Sequence, residues 1–167
     1  MTLSRNSLSK LALAVLVSAT LAGGIATAEA ADELNVVPGL SIAGAPLALH
    51  GYDPVAYFVE GEPRRGSDSL VHVHDGAAYR FASQGNLDRF KQAPDRYAPQ
   101  YGGFCAYGVS VGKKFDGDPT LWKIDDGKLY LNLNEEIYET FLKDVDGNIE
   151  KADRNWDDIE HVAAGDL

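Results

Sequence analysis

The sequence predicts a small α+β domain in which two β-hairpins form one antiparallel sheet and short helices pack on it. Residues 70–82 and 122–133 each alternate apolar and polar side chains on either side of an Asp-Gly turn signal, as β-hairpins do. Residues 83–93 and 135–143 instead place apolar side chains at helical spacing. About 135 residues follow the N-terminal leader, which is enough for one domain with its own core.

The first 30 residues are typical of a secretory signal peptide. Arg5 and Lys10 form a basic start, and Leu11–Leu21 is an apolar run shorter than the roughly 20 residues that a spanning helix needs. Small residues then lead to a cleavage-like Ala-x-Ala pattern that ends at Ala30. We therefore expect a periplasmic or secreted protein with no stable membrane insertion after cleavage.

The charge of the chain limits its partners. The formal net charge is -10 at pH 7 for 167 residues, and removing the leader makes the protein more acidic. Nucleic acids and anionic lipids repel such a surface. We expect a metal ion or a small ligand as the partner, and no nucleic acid.

The N-terminal half begins with an extended arm over residues 31–48, which is rich in Gly, Pro and small apolar residues. The domain itself is predicted to span residues 49–156. Asp53 precedes Pro54, which disfavours a helical conformation at Asp53. Its side chain is predicted to hold backbone amides near the Gly102-Gly103 turn.

The helices have recognisable ends. Ser83 is a good N-cap for residues 83–93, and Asn134 for residues 135–143. Residues 104–111 fit a strand or a short helix. A last helix is predicted over residues 149–156, and residues 157–167 read as a frayed acidic tail.

The single cysteine, Cys105, lies in a run of aromatic residues and glycines from Tyr97 to Ser110. One cysteine cannot form an internal disulfide. Three roles remain open for it: a buried packing residue, a metal ligand, or a nucleophile.

A metal centre is one hypothesis for the site. Copper and zinc accept thiolate and imidazole ligands, so the candidates are Cys105, His50, His72 and His74. His72 and His74 are two residues apart on a predicted strand, and their side chains therefore share one face.

A small-ligand pocket is a second hypothesis, since aromatic rings and glycine backbone can line such a pocket. Its candidate residues are Tyr52, Asp53, Tyr101, Gly102 and Gly103.

Two further alternatives stay open. Cys105 could act as the nucleophile of a thiol-dependent enzyme, or the protein could be a structural partner in an envelope complex.

Three runs carry a resemblance to a known family: GYDPVAYF at 51–58, YRFASQGN at 79–86 and YGGFCA at 101–106. With them, the chain resembles the exported YHS-domain proteins of bacteria over about residues 47–156. These are similar to the short YHS modules of copper-transporting ATPases and some phenol hydroxylases. Because an unpaired cysteine lies in an aromatic, glycine-rich run of an exported protein, we expect a non-catalytic module that binds a copper-like metal ion or a small ligand, with Cys105 at the centre of the site.

The chain departs from those short modules at one motif. They carry a Phe-Cys-Ser-x-x-Cys pair, and Ala82 and Asn86 stand at the corresponding positions here. The usual two-thiolate site is therefore missing, and Cys105 is left as the one thiolate that could serve a metal.

Overall fold

The computed structural model describes residues 33–37 and 41–167. The predicted signal peptide and part of the predicted arm lie outside these residues. Within them, no helix combines the length and the apolar character needed to cross a membrane. The α+β fold class is confirmed, although the two hairpins do not share a sheet.

The larger sheet has four strands in the order β1-β2-β4-β3. In chain order they are β1 (Val36–Val37), β2 (Leu47–Ala48), β3 (Ser67–His74) and β4 (Ala77–Phe81). The first predicted hairpin is confirmed as β3 and β4, which turn through Asp75 and Gly76, both with positive φ. The β2–β4 pair is parallel, so the sheet is mixed where a purely antiparallel one was predicted.

The second predicted hairpin, β5 (Asp118–Asp125) and β6 (Lys128–Asn132), forms a separate two-stranded sheet. The prediction of one shared sheet is wrong for a simple reason. Leu129 and Leu131 of β6 make parallel bridges with Pro99 and Cys105. The segment between the two hairpins therefore occupies the edge of β6, where the first hairpin would have had to pair.

Six α-helices surround the sheets within the described part of the chain. They are α1 (Ala56–Val59), α2 (Gln84–Gln92), α3 (Pro94–Tyr97), α4 (Ala106–Ser110), α5 (Glu135–Leu142) and α6 (Val145–Ile159). The predicted caps are present: Ser83 Oγ accepts from the amide of Asn86, and Asn134 Oδ1 accepts from that of Ile137. The segment that fitted a strand or a helix contains α4.

The C-terminal helix is longer than the predicted 149–156. Asp144 caps it by accepting from the amide of Gly147, and the helix continues past Trp156 to the buried Ile159. Beyond it, Lys114 Nζ donates to the carbonyls of Glu160 and Val162, each at 2.7 Å. Part of the predicted tail is therefore packed against the domain.

Two clusters of buried side chains form the core. The first lies between the four-stranded sheet, α2 and the end of the second hairpin, and it includes Tyr79, Phe81, Phe90 and Leu129. The second lies under α4 and α6 and consists of Tyr101, Phe104, Ala106, Val109, Tyr130, Phe141, Ala152 and Ile159. Because Leu129 and Leu131 face one cluster and Tyr130 the other, β6 joins them.

Candidate metal centre

Three side chains that can bind a metal meet at the tip of the first hairpin. His74 ends β3, Asp75 is the first residue of the turn, and Asp95 lies in the first turn of α3. His74 Nε2 is 3.2 Å from Asp75 Oδ2 and 3.4 Å from Asp95 Oδ1. Within the described part of the chain, this is the one group of three or more possible metal ligands whose atoms lie within 4.8 Å of one another.

The spacing suits a single ion. A tetrahedral ion with bonds of about 2.0–2.2 Å holds its ligand atoms roughly 3.3–3.6 Å apart. One imidazole and two carboxylates are ligands for zinc and for divalent copper, whereas monovalent copper favours sulfur. Three protein ligands leave room for a water molecule or an exogenous ligand. The two carboxylates are open to solvent, with side-chain exposures of 77% for Asp75 and 94% for Asp95.

The histidine pair is oriented by the core. Both rings lie edge-on against Phe90 of α2, His72 at 6.2 Å and His74 at 5.8 Å between ring centroids. The predicted common face is therefore the face toward α2. Burial lowers the pKa of His72, and the electrostatic influence of the neighbouring Lys91 and His74 lowers it further. His72 therefore lies near the centre but does not belong to the group of His74, Asp75 and Asp95.

A groove of about 460 Å³ opens beside the centre. Besides the three ligands it is lined by acidic and aromatic side chains and by glycine backbone, including Glu33, Glu160, Trp156, Tyr79 and Gly102. The structure thus brings two predicted site residues, His74 and Gly102, to one depression. Its carboxylates favour cations over anions.

The glycine pair has a structural reason of its own. Gly102 has φ +59, and a Cβ there would stand 1.7 Å from the carbonyl oxygen of Glu33. The amide of Asn35 donates to Gly102 O, and Asn35 Nδ2 donates to Gly103 O, each at 3.0 Å. The close approach that was predicted for a ligand is made by the N-terminal segment of the chain itself.

Tyr101 takes part in the second core cluster. Its hydroxyl donates to Asp153 Oδ1 at 2.7 Å, and burial together with that hydrogen bond raises the pKa of the phenol well above its ordinary value. The side chain is 6% exposed, so it faces the core and not the groove.

His50 and Tyr52 lie in a different pocket, of about 380 Å³, together with Arg65 and Asp116. His50 Nε2 is 2.8 Å from Asp116 Oδ1. The pocket therefore holds one predicted metal ligand and one predicted ligand-binding residue, away from His74.

Asp53 is fully buried and points to backbone amides. Its Oδ1 accepts from the amides of Val55 and Ala56, and its Oδ2 accepts from the amide of Ala82. Asn86 Nδ2 also donates to Oδ2, at 2.7 Å. The predicted amide-holding role is observed, although its partners are in α1 and before α2 and not at the Gly102-Gly103 turn.

Cys105 is fully buried at the start of α4 and is not a lining residue of either pocket. Its Sγ accepts from the amide of Gly108 at 3.3 Å and donates to Asn132 Oδ1 at 3.8 Å. Burial raises the pKa of the thiol, and the backbone donors of Gly108, Leu133 and Tyr107 offset this only in part. A protonated, buried thiol is a poor nucleophile and a poor metal ligand.

The predicted site residues are therefore divided among six places: the hairpin tip, the His50 pocket, the amide network of Asp53, the glycine pair against Asn35, the second core cluster with Tyr101, and the interior around Cys105. Of the three side chains in the centre, His74 was a predicted metal ligand, and Asp75 and Asp95 were not. Asp75 could have been found, because it follows His74 directly at a hairpin turn. Asp95 is brought to His74 only by the packing of α3 on the hairpin, which no local pattern encodes.

The comparisons with known proteins bear on the same segment. No curated protein and no solved structure matches the chain significantly. The YHS domain model matches residues 55–101, which contain the first hairpin, α2 and α3, and hence all three side chains of the centre. His50 and Cys105 fall outside the match. YHS domains are a family associated with metal binding. The chain carries a YHS domain over residues 55–101.

Proposed function

We propose that this protein is a non-catalytic metal-binding module that acts outside the cytoplasm and binds a zinc or divalent copper ion at His74, Asp75 and Asp95. The observation that carries the proposal is the spacing of 3.2 Å and 3.4 Å between His74 Nε2 and two carboxylate oxygens. The match of a metal-associated family to the segment that holds these groups supports it. The leader-like residues 1–30 support the location.

The family match favours binding over catalysis, because YHS domains are associated with metal binding. The thiol-enzyme alternative depends on Cys105, whose thiol is buried and has a raised pKa. We therefore favour transport, storage or delivery of an ion.

The test is a competition titration of the purified protein with Zn²⁺ and Cu²⁺ against a chromophoric chelator. We expect one bound ion per chain. His74→Ala and Asp95→Asn should each weaken binding by at least about tenfold, because each removes one of three ligands. Binding should also raise the unfolding temperature of the wild type but not of His74→Ala.

His50→Ala and Cys105→Ser serve as matched controls, since each removes a possible ligand outside the centre. Both should keep the affinity of the wild type. Loss of the metal in either control with retention in His74→Ala would move the centre to the other predicted residues. A wild-type protein that takes up neither ion at millimolar concentration would remove the proposal.

A further inference from the structure

The pocket around His50 has a charge pattern that the metal proposal does not use. It has a volume of about 380 Å³, and its walls carry one arginine, Arg65, and two aspartates, Asp116 and Asp118. We propose that this pocket binds a small zwitterion of the α-amino acid class, with its carboxylate on Arg65 and its ammonium group on the aspartates.

Arg65 is held in place but is not neutralised. Its Nη1 donates to the carbonyl of His50 at 3.0 Å, and its guanidinium lies 4.4 Å from the ring centroid of Tyr52. No described carboxylate lies within ion-pair distance of it, although the chain has a net charge of -10. A planar guanidinium with free N–H groups is the preferred partner of a carboxylate.

The neighbouring Arg64 shows the contrast. Its guanidinium pairs with Glu60 and Glu62, each at 2.8 Å, on the open surface. Arg64 therefore has the same charge one residue away, but its guanidinium is already paired with two carboxylates, which makes it the natural control.

The two aspartates present the opposite charge. Asp118 Oδ1 accepts from the amide and the hydroxyl of Thr120, at 2.8 Å and 2.7 Å. Asp116 Oδ1 accepts from Asn35 Nδ2 at 2.7 Å and contacts His50. Each carboxylate thus uses Oδ1 for the described contacts, and Oδ2 is left for an ammonium group.

The wall that carries His50 is strained. Leu49, His50 and Gly51 all have positive φ, of 50°, 48° and 78°. Two consecutive non-glycine residues in this region are unfavourable, and such strain persists where the surrounding structure holds a functional geometry. The strained turn aims the His50 carbonyl at Arg65 and its ring at Asp116, so the pocket is formed before a ligand arrives.

The mixed charge selects the ligand class. A simple anion would face two carboxylates, and a simple cation would face an arginine, so each meets a repelling group. A small molecule that carries both charges can place its negative group on Arg65 and its positive group on the aspartates. The pocket volume is also in the range of small-molecule sites.

The experiment is an NMR titration of the full protein with individual α-amino acids, followed through the amide shifts of Arg65 and Thr120. Acetate and ethylammonium are the probes that carry one charge each. We expect at least one amino acid to bind about tenfold more tightly than either single-charge probe. Asp118→Asn keeps the Oδ1 acceptor of the turn, and both it and Arg65→Gln should weaken binding about tenfold, while Arg64→Gln should not.

Two results would overturn the inference. One is that no amino acid changes the amide shifts at a concentration of about 10 mM. A dissociation constant of about this size is the weakest that such a titration detects. The other is binding of acetate as tight as that of the amino acids, which would make the pocket an anion site. Neither result depends on whether zinc or copper binds at His74. The metal-binding proposal and the amino-acid proposal can therefore fail separately.

Discussion

Asp53 shows how one buried carboxylate can organise a domain. The side chain has no exposed surface, and its oxygens accept hydrogen bonds from three backbone amides and from Asn86. A buried charge is tolerated only when it is well hydrogen-bonded. Asp53 therefore ties the start of α1 to the segment that leads into α2.

Replacing this residue should be strongly destabilising. In Asp53→Ala, three buried donors and the partly buried amide of Ala82 lose their acceptor, so we expect the free energy of unfolding to fall by about 3–5 kcal/mol. Urea denaturation measures the change. Asp88→Ala removes an exposed carboxylate of α2 and should change stability by less than about 0.5 kcal/mol. Equal effects in the two variants would contradict the role assigned to Asp53.

The residue scale also shows how far a sequence can identify a site. His72 and His74 were predicted to share a face because strand geometry is local, and they do so against Phe90. Asp95 could not be predicted as their neighbour, since it is 21 positions after His74 and reaches it only through tertiary packing. Cys105 was a candidate because cysteine can bind metals and act as a nucleophile. Its burial could not be predicted, since the exposure of a side chain depends on the whole fold.

At the scale of elements, Lys114 connects the segment between α4 and β5 to the end of α6. It is 4% exposed, its ammonium group donates to two carbonyls after α6, and it lies over the rings of Phe104 and Trp156 at 5.3 Å and 5.2 Å. The carbonyls at the end of a helix attract a cation. Lys114 therefore closes the C-terminal end of the domain.

Lys114→Met should weaken this closure while keeping the length of the side chain. We expect a loss of about 2–4 kcal/mol in the free energy of unfolding, since two charge-assisted hydrogen bonds and the cation–π interactions with the two rings disappear. Hydrogen exchange should rise first at residues 159–162. Lys113→Met, on an exposed neighbour, is the control, and a similar loss there would show that charge alone matters.

The elements themselves were largely predictable, whereas their assembly was not. Asp-Gly turns and period-two alternation located both hairpins, and Ser83 and Asn134 located two helix starts, because these signals are local. The pairing of β6 with the segments around Pro99 and Cys105 depends on contacts between distant residues. The parallel β2–β4 pair likewise rests on Leu47 meeting Ala78 across 31 positions of chain.

At the scale of the whole molecule, the location of the protein is the prediction with the simplest test. If residues 1–30 are a signal peptide, the full chain expressed in a Gram-negative host should reach the periplasm and lose about 30 residues. Intact-mass analysis of the periplasmic fraction measures both. A Leu16→Arg variant, with a charge in the apolar run, should stay in the cytoplasm at full length. Full-length wild-type protein in the cytoplasm would contradict the proposal.

The edges of the four-stranded sheet have a consequence for self-association. Among the described strands, β1 ends the sheet on one side with two residues, and β3 ends it on the other with a register shift between Ser67 and Val71. Open strand edges are templates for further chains when they are long and flat. One edge here is too short and the other is irregular, so the sheet offers a poor template for fibre growth even at high protein concentration.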